Sequence, residues 1–501
     1  MKKFLTITLL CSMMLGVLAS CGQSYDNTAE TTESGADTTQ AAETEPAETT
    51  REPLDLPDED YGGYEFRVLA MNSTQMGNSE SVSIHYFSDF GYNEERSGEP
   101  INDAVHERNL AIEEKYNVKI KLTEAANVQS EAQKVIIAGD DVYDVITPII
   151  NHSYTMAQNG YLVDIYEVPH IQLDKPWWDS ILCDQLSLGG HIYTATGDIT
   201  TEDEELNTAV YFNKALIKNH SLEDPYDHVF DGTWTLDVLY ETGKALTFDV
   251  NGDGNLNHHD SYGFGNDFTG AEAFWFSTGA NYARVDADGK PELTILEDRA
   301  VTAMEKITKQ FNDDSYMIWA SDIQAAGEPN SWTALNDMLT EGRLLFRPGC
   351  IYNCKQYRDM VDDFGMLPYP KLDDSQDRYY MNVMTHASQG ISIPITNPDL
   401  ERTGLLLEAI AYSSEKVHKA YYDVTLTGKM ARDEESIRML EIIFESRCYD
   451  IGKIFGWGGF NAAVNTVVQN NTGFVSSIES LMTAAQTAME KSYEDFMAAA
   501  K

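Results

Sequence analysis

One twelve-residue stretch carries the clearest chemical pattern in the sequence. Residues 249–260 read DVNGDGNLNHHD, with oxygen-bearing side chains at positions 1, 3 and 5 and a glycine at position 6. A hard cation needs several oxygen atoms that converge on one point, and alternate residues of a tight loop can supply them. The stretch therefore predicts a structural Ca²⁺ site. Its expected ligands are Asp249, Asn251, Asp253, Asn255, Asn257 and Asp260.

Two features of this loop limit the prediction. Position 12 is Asp260, where the calcium loop of an EF-hand has Glu, so bidentate closure is in doubt and a weak site is expected. The alternative is a solvated turn held by Asx hydrogen bonds without a metal. His258 and His259 do not indicate zinc, because adjacent side chains point apart and no paired Cys or His motif accompanies them.

The N-terminus predicts where the protein works. Lys2 and Lys3 precede an apolar run from residue 4 to 17, and residues 18–21 read LASC. This order is typical of a secretory signal, and the run is shorter than the about 20 residues that cross a bilayer. The LASC ending resembles a bacterial lipobox, which implies that Cys21 is lipidated and anchors the mature chain to the extracellular face of the cell membrane. A plain secretory peptide with a chance cysteine is the alternative.

Composition limits the classes of partner. The chain has 35 basic and 81 acidic residues and a net charge of −46, which makes a nucleic acid an unsuitable partner. Residues 22–60 are rich in Thr, Glu, Ala and Asp and hold few large apolar side chains. Such a segment cannot bury enough surface to fold. We therefore expect a signal peptide at 1–20 and a lipidated cysteine with a disordered acidic tether at 21–60.

The four remaining cysteines are too sparse for a disulfide framework in a domain of this size. Cys350 and Cys354 could pair, but ordinary packing is the favoured interpretation.

The elements that follow the tether alternate between strands and helices. Residues 65–70, 118–122 and 143–147 have strand patterns, and helical patterns occupy 101–116 and the segment from 127 to Gly139. This alternation predicts parallel strands joined by crossover helices, with ligands beyond the carboxyl ends of the strands. The segments 71–89 and 147–148 are therefore of interest. The apolar stripe of the C-terminal helix, from Ile478 to Phe496, is expected to be core packing.

Six short motifs, in a fixed order, resemble one known family. They are GEPIND at 98–103, GDDVYDVI at 139–146, PWWD at 176–179, FNK at 212–214, GTWT at 232–235 and FGMLPYPK at 364–371. The ordered set resembles the carbohydrate-type extracellular solute-binding proteins of bacterial ABC importers. The resemblance covers about residues 62 to 460.

The resemblance implies an α/β fold of the type 2 periplasmic-binding-protein kind. Two lobes with mixed or parallel sheets, flanked by helices, would close over a ligand in the cleft between them. Lobe 1 would comprise 61–200 and 340–415, and lobe 2 would comprise 201–339 and 416–501. The implied function is that of a monomeric receptor, not an enzyme. It captures a sugar or oligosaccharide by lobe closure and delivers it to an ABC permease in the membrane.

Sugar recognition needs aromatic faces for stacking and carboxylates or amides for the hydroxyl groups. Trp177, Trp178 and Trp234 stand in family motifs and are interpreted as structural. The candidate ligand-binding residues are Asp89, Asp198, Trp275, Trp319, Trp332, Tyr352 and Trp457.

Two other functions stay open. The sequence has no G-x-S-x-G, H-E-x-x-H or P-loop motif, and no G-x-G-x-x-G after a strand. A glycosidase needs only two suitably spaced carboxylates, however, so a surface-anchored glycan-degrading enzyme is one alternative. A non-transporting lipoprotein that binds glycans or peptides is the other.

Overall fold

Three parallel strands open the folded part of the chain. They belong to a computed structural model that describes residues 51–71, 89–267, 270–426 and 434–500. The order is β1 (Tyr64–Met71), α1 (Pro100–Tyr116), β2 (Val118–Ala125), α2 (Val128–Ala138) and β3 (Val145–Ile146). The sheet order is β2-β1-β3, and both pairings are parallel. The predicted strand–helix alternation is confirmed.

Local sequence sets the helix ends around this sheet. Pro100 begins α1, where its missing N–H costs no hydrogen bond, and Asn117 ends the helix in the left-handed conformation. The Asn127 side chain accepts a hydrogen bond from the Ser130 N–H and so caps α2. Gly139, with φ of 77°, ends α2 as the sequence predicts.

A second sheet has five strands in a mixed arrangement. The elements that lead to it and form it are α3 (Ile150–Gln158), α4 (Ser180–Leu186), α5 (Glu202–Glu205), β4 (Thr208–Asn213), α6 (Lys214–Asn219), α7 (Pro225–Phe230), α8 (Leu236–Lys244), β5 (Tyr262–Asn266), α9 (Ala271–Ser277), β6 (Ala283–Val285), β7 (Pro291–Leu293), α10 (Asp298–Phe311), β8 (Met317–Trp319), α11 (Ala320–Ala325), α12 (Ser331–Thr340), β9 (Leu344–Cys350) and β10 (Phe364–Leu367). The order is β10-β4-β9-β5-β8. Strand β5 runs parallel to β8 and β9, whereas β4 runs antiparallel to β9 and β10.

The remaining elements are mostly helical. They are β11 (Met381–Asn382), α13 (Leu400–Ser413), α14 (Glu415–Leu426), α15 (Glu434–Glu445), β12 (Arg447–Cys448), α16 (Ile451–Phe455), α17 (Phe460–Gln469) and α18 (Phe474–Ala499). No helix in the described ranges is long and apolar enough to span a membrane. The stripe predicted to be core packing is confirmed, since Ile478, Ala485 and Phe496 of α18 are fully buried.

Strand pairing departs from the predicted lobe boundaries at one place. The segment 340–415 was assigned to lobe 1, but β9 and β10 pair with β4 and therefore extend the second sheet. The chain returns to the first sheet later, where Ser392 pairs with Ile146 and Ile391 pairs with Ala195. At the C-terminal boundary, Val417 of α14 shares a buried cluster with Val105 of α1. The other boundaries of the two lobes stay predictions.

The tryptophans of the family motifs are structural, as predicted. The indole N–H groups of Trp177 and Trp178 both donate to the buried Glu408 carboxylate, at 3.0 and 2.8 Å. Burial raises the pKa of Glu408, and these donors oppose the rise. Trp234 is fully buried and donates to the Pro368 carbonyl oxygen.

The cysteine and N-terminal predictions have different outcomes. Cys350 and Cys354 are both buried free thiols, which confirms ordinary packing over a disulfide. The compact unit Leu54–Lys501 contains all the elements above. Cys21, the signal peptide and the tether as far as residue 50 lie outside the described residues.

Candidate functional site

A cavity of about 380 Å³ lies where the three strands of the first sheet end. Met71 is the last residue of β1, Glu124 is next to the end of β2, and Thr147 follows β3. All three line the cavity, so it lies where a ligand is expected, beyond the carboxyl ends of parallel strands. Its described lining residues include two aromatic side chains and many polar ones. The residues used below are Asp89, Phe90, Tyr92, Glu94, Arg96, Glu124, Thr147, Thr200, Glu202 and Gln389.

Gln389 ties two strand ends to the short helix α5. Its Oε1 accepts a hydrogen bond from the Thr147 hydroxyl at 2.7 Å and one from the Met71 N–H at 3.2 Å. Its side-chain amide donates to Oε1 of Glu202, and its backbone N–H donates to Oε2 of Glu202 at 2.6 Å. Glu202 is 2% exposed. Hydrogen bonds are strong in such a buried site, so they hold the Glu202 carboxylate in one position at the cavity wall.

Asp89 is fixed on the same wall by hydroxyl groups. The Thr200 hydroxyl donates to Oδ2 of Asp89 at 2.9 Å, and the Thr201 hydroxyl donates to Oδ1 at 3.3 Å. The guanidinium of Arg108 also donates to the Asp89 carbonyl oxygen. Burial lowers the pKa of Arg108 to about 10, and the negative charge of Asp89 opposes this decrease. The carboxylate is thus held in place before a ligand arrives.

Helix α5 contains four consecutive acidic residues, all of them buried. The side chains of Asp203 and Glu205 are fully buried, and Glu202 and Glu204 are 2% and 7% exposed. Each acidic residue contacts a residue in a different, later segment of the chain. The contacts are Glu202 with Gln389, Asp203 with Arg447 at 2.8 Å, Glu204 with His418 at 3.3 Å and Glu205 with Lys355 at 2.9 Å.

The ion pairs of α5 perturb the titration of their members. Burial raises the pKa of Asp203, and the Arg447 guanidinium opposes that rise. Burial alone would lower the pKa of His418, but the Glu204 carboxylate reverses the effect and raises it to about 10. A charged imidazole and a charged guanidinium therefore stabilise the acidic helix at neutral pH.

The structure separates the seven predicted ligand-binding residues into three groups. Asp89 is the one of them that lies among the described residues of the cavity wall. Two predictions are wrong, because Trp275 is fully buried and Trp457 is 2% exposed, so neither has a face for a ligand. The Trp275 indole donates to the Ala300 carbonyl oxygen, and the Trp457 indole donates to the Ser492 hydroxyl.

The other four residues are half-buried, and their role in binding stays a prediction. Trp319 ends β8 and donates to the Phe311 carbonyl oxygen. Trp332 lies 5.8 Å from the guanidinium of the buried Arg347, measured to the ring centroid. Tyr352 packs against the buried pair Leu206 and Ala387, and burial raises its pKa.

Asp198 follows the glycine that pairs with Trp178. Its N–H donates to the Trp177 carbonyl oxygen at 2.9 Å. Its negative charge helps to raise the pKa of His418. Asp198 thus belongs to the surroundings of α5.

Sequence reasoning missed Glu202, Gln389 and Tyr92. A run of four acidic residues is typical of a solvated surface, so nothing in EDEE indicates a buried helix. Gln389 is 242 residues from Thr147, and only the fold brings them together. Tyr92 follows the segment 71–89, and the strand-end rule could have included it.

The predicted calcium loop forms a compact turn. Asp249 accepts hydrogen bonds from the N–H groups of Gly252 and Gly254, at 2.6 and 2.7 Å. These bonds lower the pKa of Asp249. The buried Asp260 carboxylate accepts from the N–H groups of Val250 and Asn257. The oxygen donors suit calcium in kind, but they are directed at the loop backbone. No three His, Cys, Asp or Glu side chains in the described ranges are grouped closely enough to hold a metal ion.

Comparison with known proteins is informative at the level of family and fold. A model of the family described as bacterial extracellular solute-binding proteins matches residues 110–426, more than half of the chain. No curated protein sequence matches.

The chain is similar in fold to solved binding proteins. A cyclo/maltodextrin-binding protein complexed with maltotetraose has a TM-score of 0.56 and 14% identity, over 86% of this chain and 98% of that one. MalE of Listeria monocytogenes in complex with maltose has a TM-score of 0.55 and 15% identity, over 85% and 98% of the chains. UspC of M. tuberculosis has a TM-score of 0.53 and 14% identity, over 85% and 100%.

These findings confirm the predicted fold class, a two-lobed α/β protein with mixed and parallel sheets flanked by helices. The family model identifies the biochemical class, because it describes extracellular proteins that bind solutes. The chain belongs to the family of bacterial extracellular solute-binding proteins.

Proposed function

We propose that this protein captures a sugar or oligosaccharide by lobe closure and delivers it to an ABC permease in the membrane. The observation that carries the proposal is the cavity at the carboxyl ends of β1, β2 and β3. Its wall combines fixed carboxylate, amide and hydroxyl groups with the half-buried ring of Tyr92. Two proteins of similar fold were solved with maltotetraose and maltose bound.

The chemistry of the wall suits a polyhydroxylated ligand. Glu202 and Asp89 offer acceptor oxygens for hydroxyl groups, and an aromatic ring can stack on the apolar face of a pyranose. The volume of about 380 Å³ is within the range of small-molecule sites, about 300 to 1,000 Å³. Because Thr200 and Gln389 already hold the two carboxylates, binding does not have to order them.

Closure would follow from contacts that the ligand makes with both lobes. A ligand that touches both lobes binds the closed state more tightly than the open one, and this difference shifts the equilibrium. The half-buried Trp319, Trp332 and Tyr352 are proposed ligand contacts from lobe 2. Trp319 ends β8, and Tyr352 follows β9, so both lie near carboxyl ends of parallel strands of the second sheet.

The proposal places the receptor on the extracellular face of the cell membrane. Cys21 would carry the lipid anchor, and the acidic tether would hold a monomeric binding unit near the permease. We also propose that the loop 249–260 binds a structural Ca²⁺ weakly. Asp249, Asn251, Asp253, Asn257 and Asp260 would turn from backbone N–H groups toward the ion, and Asn255 would offer its carbonyl oxygen.

Thermal denaturation of the secreted chain, produced from residue 22, against a panel of oligosaccharides tests the proposal. A ligand that binds only the folded state must raise the melting temperature, and the rise increases with the logarithm of its concentration relative to Kd. We expect a concentration-dependent rise with one class of glycan, and the same glycan recovered intact. Recovery of cleaved glycan would indicate the glycan-degrading enzyme instead.

A shift with peptides alone would overturn the carbohydrate assignment. The non-transporting lipoprotein would be indicated by a different pair of results. In that case the protein binds the glycan, but cells that lack the protein take up the glycan as before.

A further inference from the structure

The charges on the cavity wall are mostly of one sign. Its described residues include four carboxylates, Asp89, Glu94, Glu124 and Glu202, and one guanidinium, Arg96. Two of the carboxylates are fixed by the networks above. The other two are exposed at the rim, and neither forms an ion pair with a described residue. A solute that enters this cavity therefore meets a negative electrostatic potential from several directions.

The negative potential extends beyond the cavity. A second cavity of about 500 Å³ shares Phe90, Tyr92 and Glu124 with the first and continues between α1 and β2. The ring of His106 stacks on one face of Tyr92, with a centroid distance of 3.9 Å. We call the two cavities together the groove. Glu113 also lines the second cavity, where its carboxylate forms an ion pair with Lys119 at 2.6 Å.

We infer that this groove selects solutes by charge and takes an oligosaccharide that carries protonated amino groups. The inference rests on the proposed function and specifies its substrate class. Charge-assisted hydrogen bonds from an ammonium group to carboxylates are roughly twice as strong as those between neutral groups. The half-buried ring of Tyr92 can also attract a cation.

The same wall disfavours acidic glycans. A uronate or phosphate group would approach four carboxylates with one guanidinium to compensate them. Like charges placed across an interface disfavour binding even of a ligand of otherwise suitable shape. The net charge of −46 also disfavours acidic glycans as they approach the protein, because it repels anions and attracts cations.

Four β-1,4-linked trisaccharides test the inference, of which three differ from the glucose trimer at one carbon of each ring. The trimers of glucosamine, N-acetylglucosamine, glucose and glucuronic acid present an amine, an amide, a hydroxyl and a carboxylate on one backbone. Titration calorimetry would measure each affinity below the pKa of the sugar amine. We expect the glucosamine trimer to bind about tenfold more tightly than the two neutral trimers. The glucuronic acid trimer should bind about tenfold more weakly than they do, and salt should reduce both differences.

Two variants localise the effect to the groove. Glu124→Gln should reduce the preference for the amine over the glucose trimer about threefold or more. Glu107→Gln is the matched control, because Glu107 is an exposed glutamate of α1 that does not line either cavity. It changes the net charge equally and should leave the preference as it is.

Each result decides the inference. Equal affinities for the four trimers, or an equal effect of the two variants, would overturn charge selection by the groove while the proposed function stands. The inference is also wrong if none of the trimers binds and another glycan does. If no glycan binds at all, the proposed function fails together with it.

Discussion

Removal of Arg447 should destabilise the protein strongly, because two buried carboxylates depend on it. Its Nη1 lies 2.8 Å from Oδ2 of Asp203, and its Nε lies 3.6 Å from Oδ2 of Asp179. The Asp203 and Asp179 side chains are 0% and 1% exposed, and that of Arg447 is 18% exposed. Loss of one partner from a buried ion pair costs about 3 to 5 kcal/mol. We therefore expect Arg447→Met to lose about 3 to 5 kcal/mol of unfolding free energy.

The origin of this loss can be tested with a double-mutant cycle. Asp203→Leu removes the carboxylate that Arg447 approaches most closely, while Asp179 keeps the Tyr449 hydroxyl and two backbone N–H donors. Arg447→Met combined with Asp203→Leu should therefore lose less than the sum of the two single variants. The expected difference is about 1 to 3 kcal/mol, measured by urea unfolding with linear extrapolation to water.

A surface arginine provides the matched control. Arg284 contacts Glu292 and Glu297, at 2.6 and 2.8 Å, but its side chain is 50% exposed. Arg284→Met should cost less than about 1 kcal/mol, because water screens exposed ion pairs. If both arginine variants lose the same amount, or if the effects of Arg447→Met and Asp203→Leu simply add, burial of the charges does not explain the stability of this region.

Three further predictions concern pH, calcium and the cavity wall. The Glu204 carboxylate raises the pKa of His418 to about 10 in the folded state. The stabilisation is therefore complete below the unfolded pKa of about 6.5 and is lost as pH rises through about 10. The melting temperature should fall over that range, and less so in His418→Gln. Removal of Ca²⁺ by a chelator should lower the melting temperature of the wild type but not of Asp249→Ala, and an equal response of both would contradict the calcium site. Gln389→Leu should weaken glycan binding about tenfold by freeing Glu202, and unchanged affinity in calorimetry would contradict that role.

The sequence could predict the first sheet because the signals there are local. The alternating residues of β2 and the caps of α1 and α2 depend on neighbours along the chain. Once parallel strands are predicted, general geometry places the cavity beyond their carboxyl ends. The same rule predicts that Asp89 lies at the cavity. The second sheet was harder to predict. Strand β9 is nearly all buried, and periodicity does not reveal which strands such a segment pairs with.

Side-chain roles in the site could not be predicted so well. Trp275 and Trp457 are surrounded by glycine, serine and aromatic residues, a context that suits a ligand contact as well as a core. In the structure both tryptophans belong to the core, where their indole N–H groups donate hydrogen bonds to neighbouring residues. Helix α5 shows the opposite case, because burial of EDEE depends on partners that are 150 to 244 residues away in the chain.

Through these distant partners, α5 contributes to the function of the protein as well as to its fold. Its first residue, Glu202, is part of the cavity wall, and the next three bind Arg447, His418 and Lys355. A set of apolar side chains would stabilise such a helix at least as well, but it would accept many registers. Four acidic residues with four separate partners can make all these contacts in one arrangement only. A ligand that displaced Glu202 would therefore strain the contacts of α5 to three later segments, and this is the physical link by which an occupied cavity could change the position of the lobes.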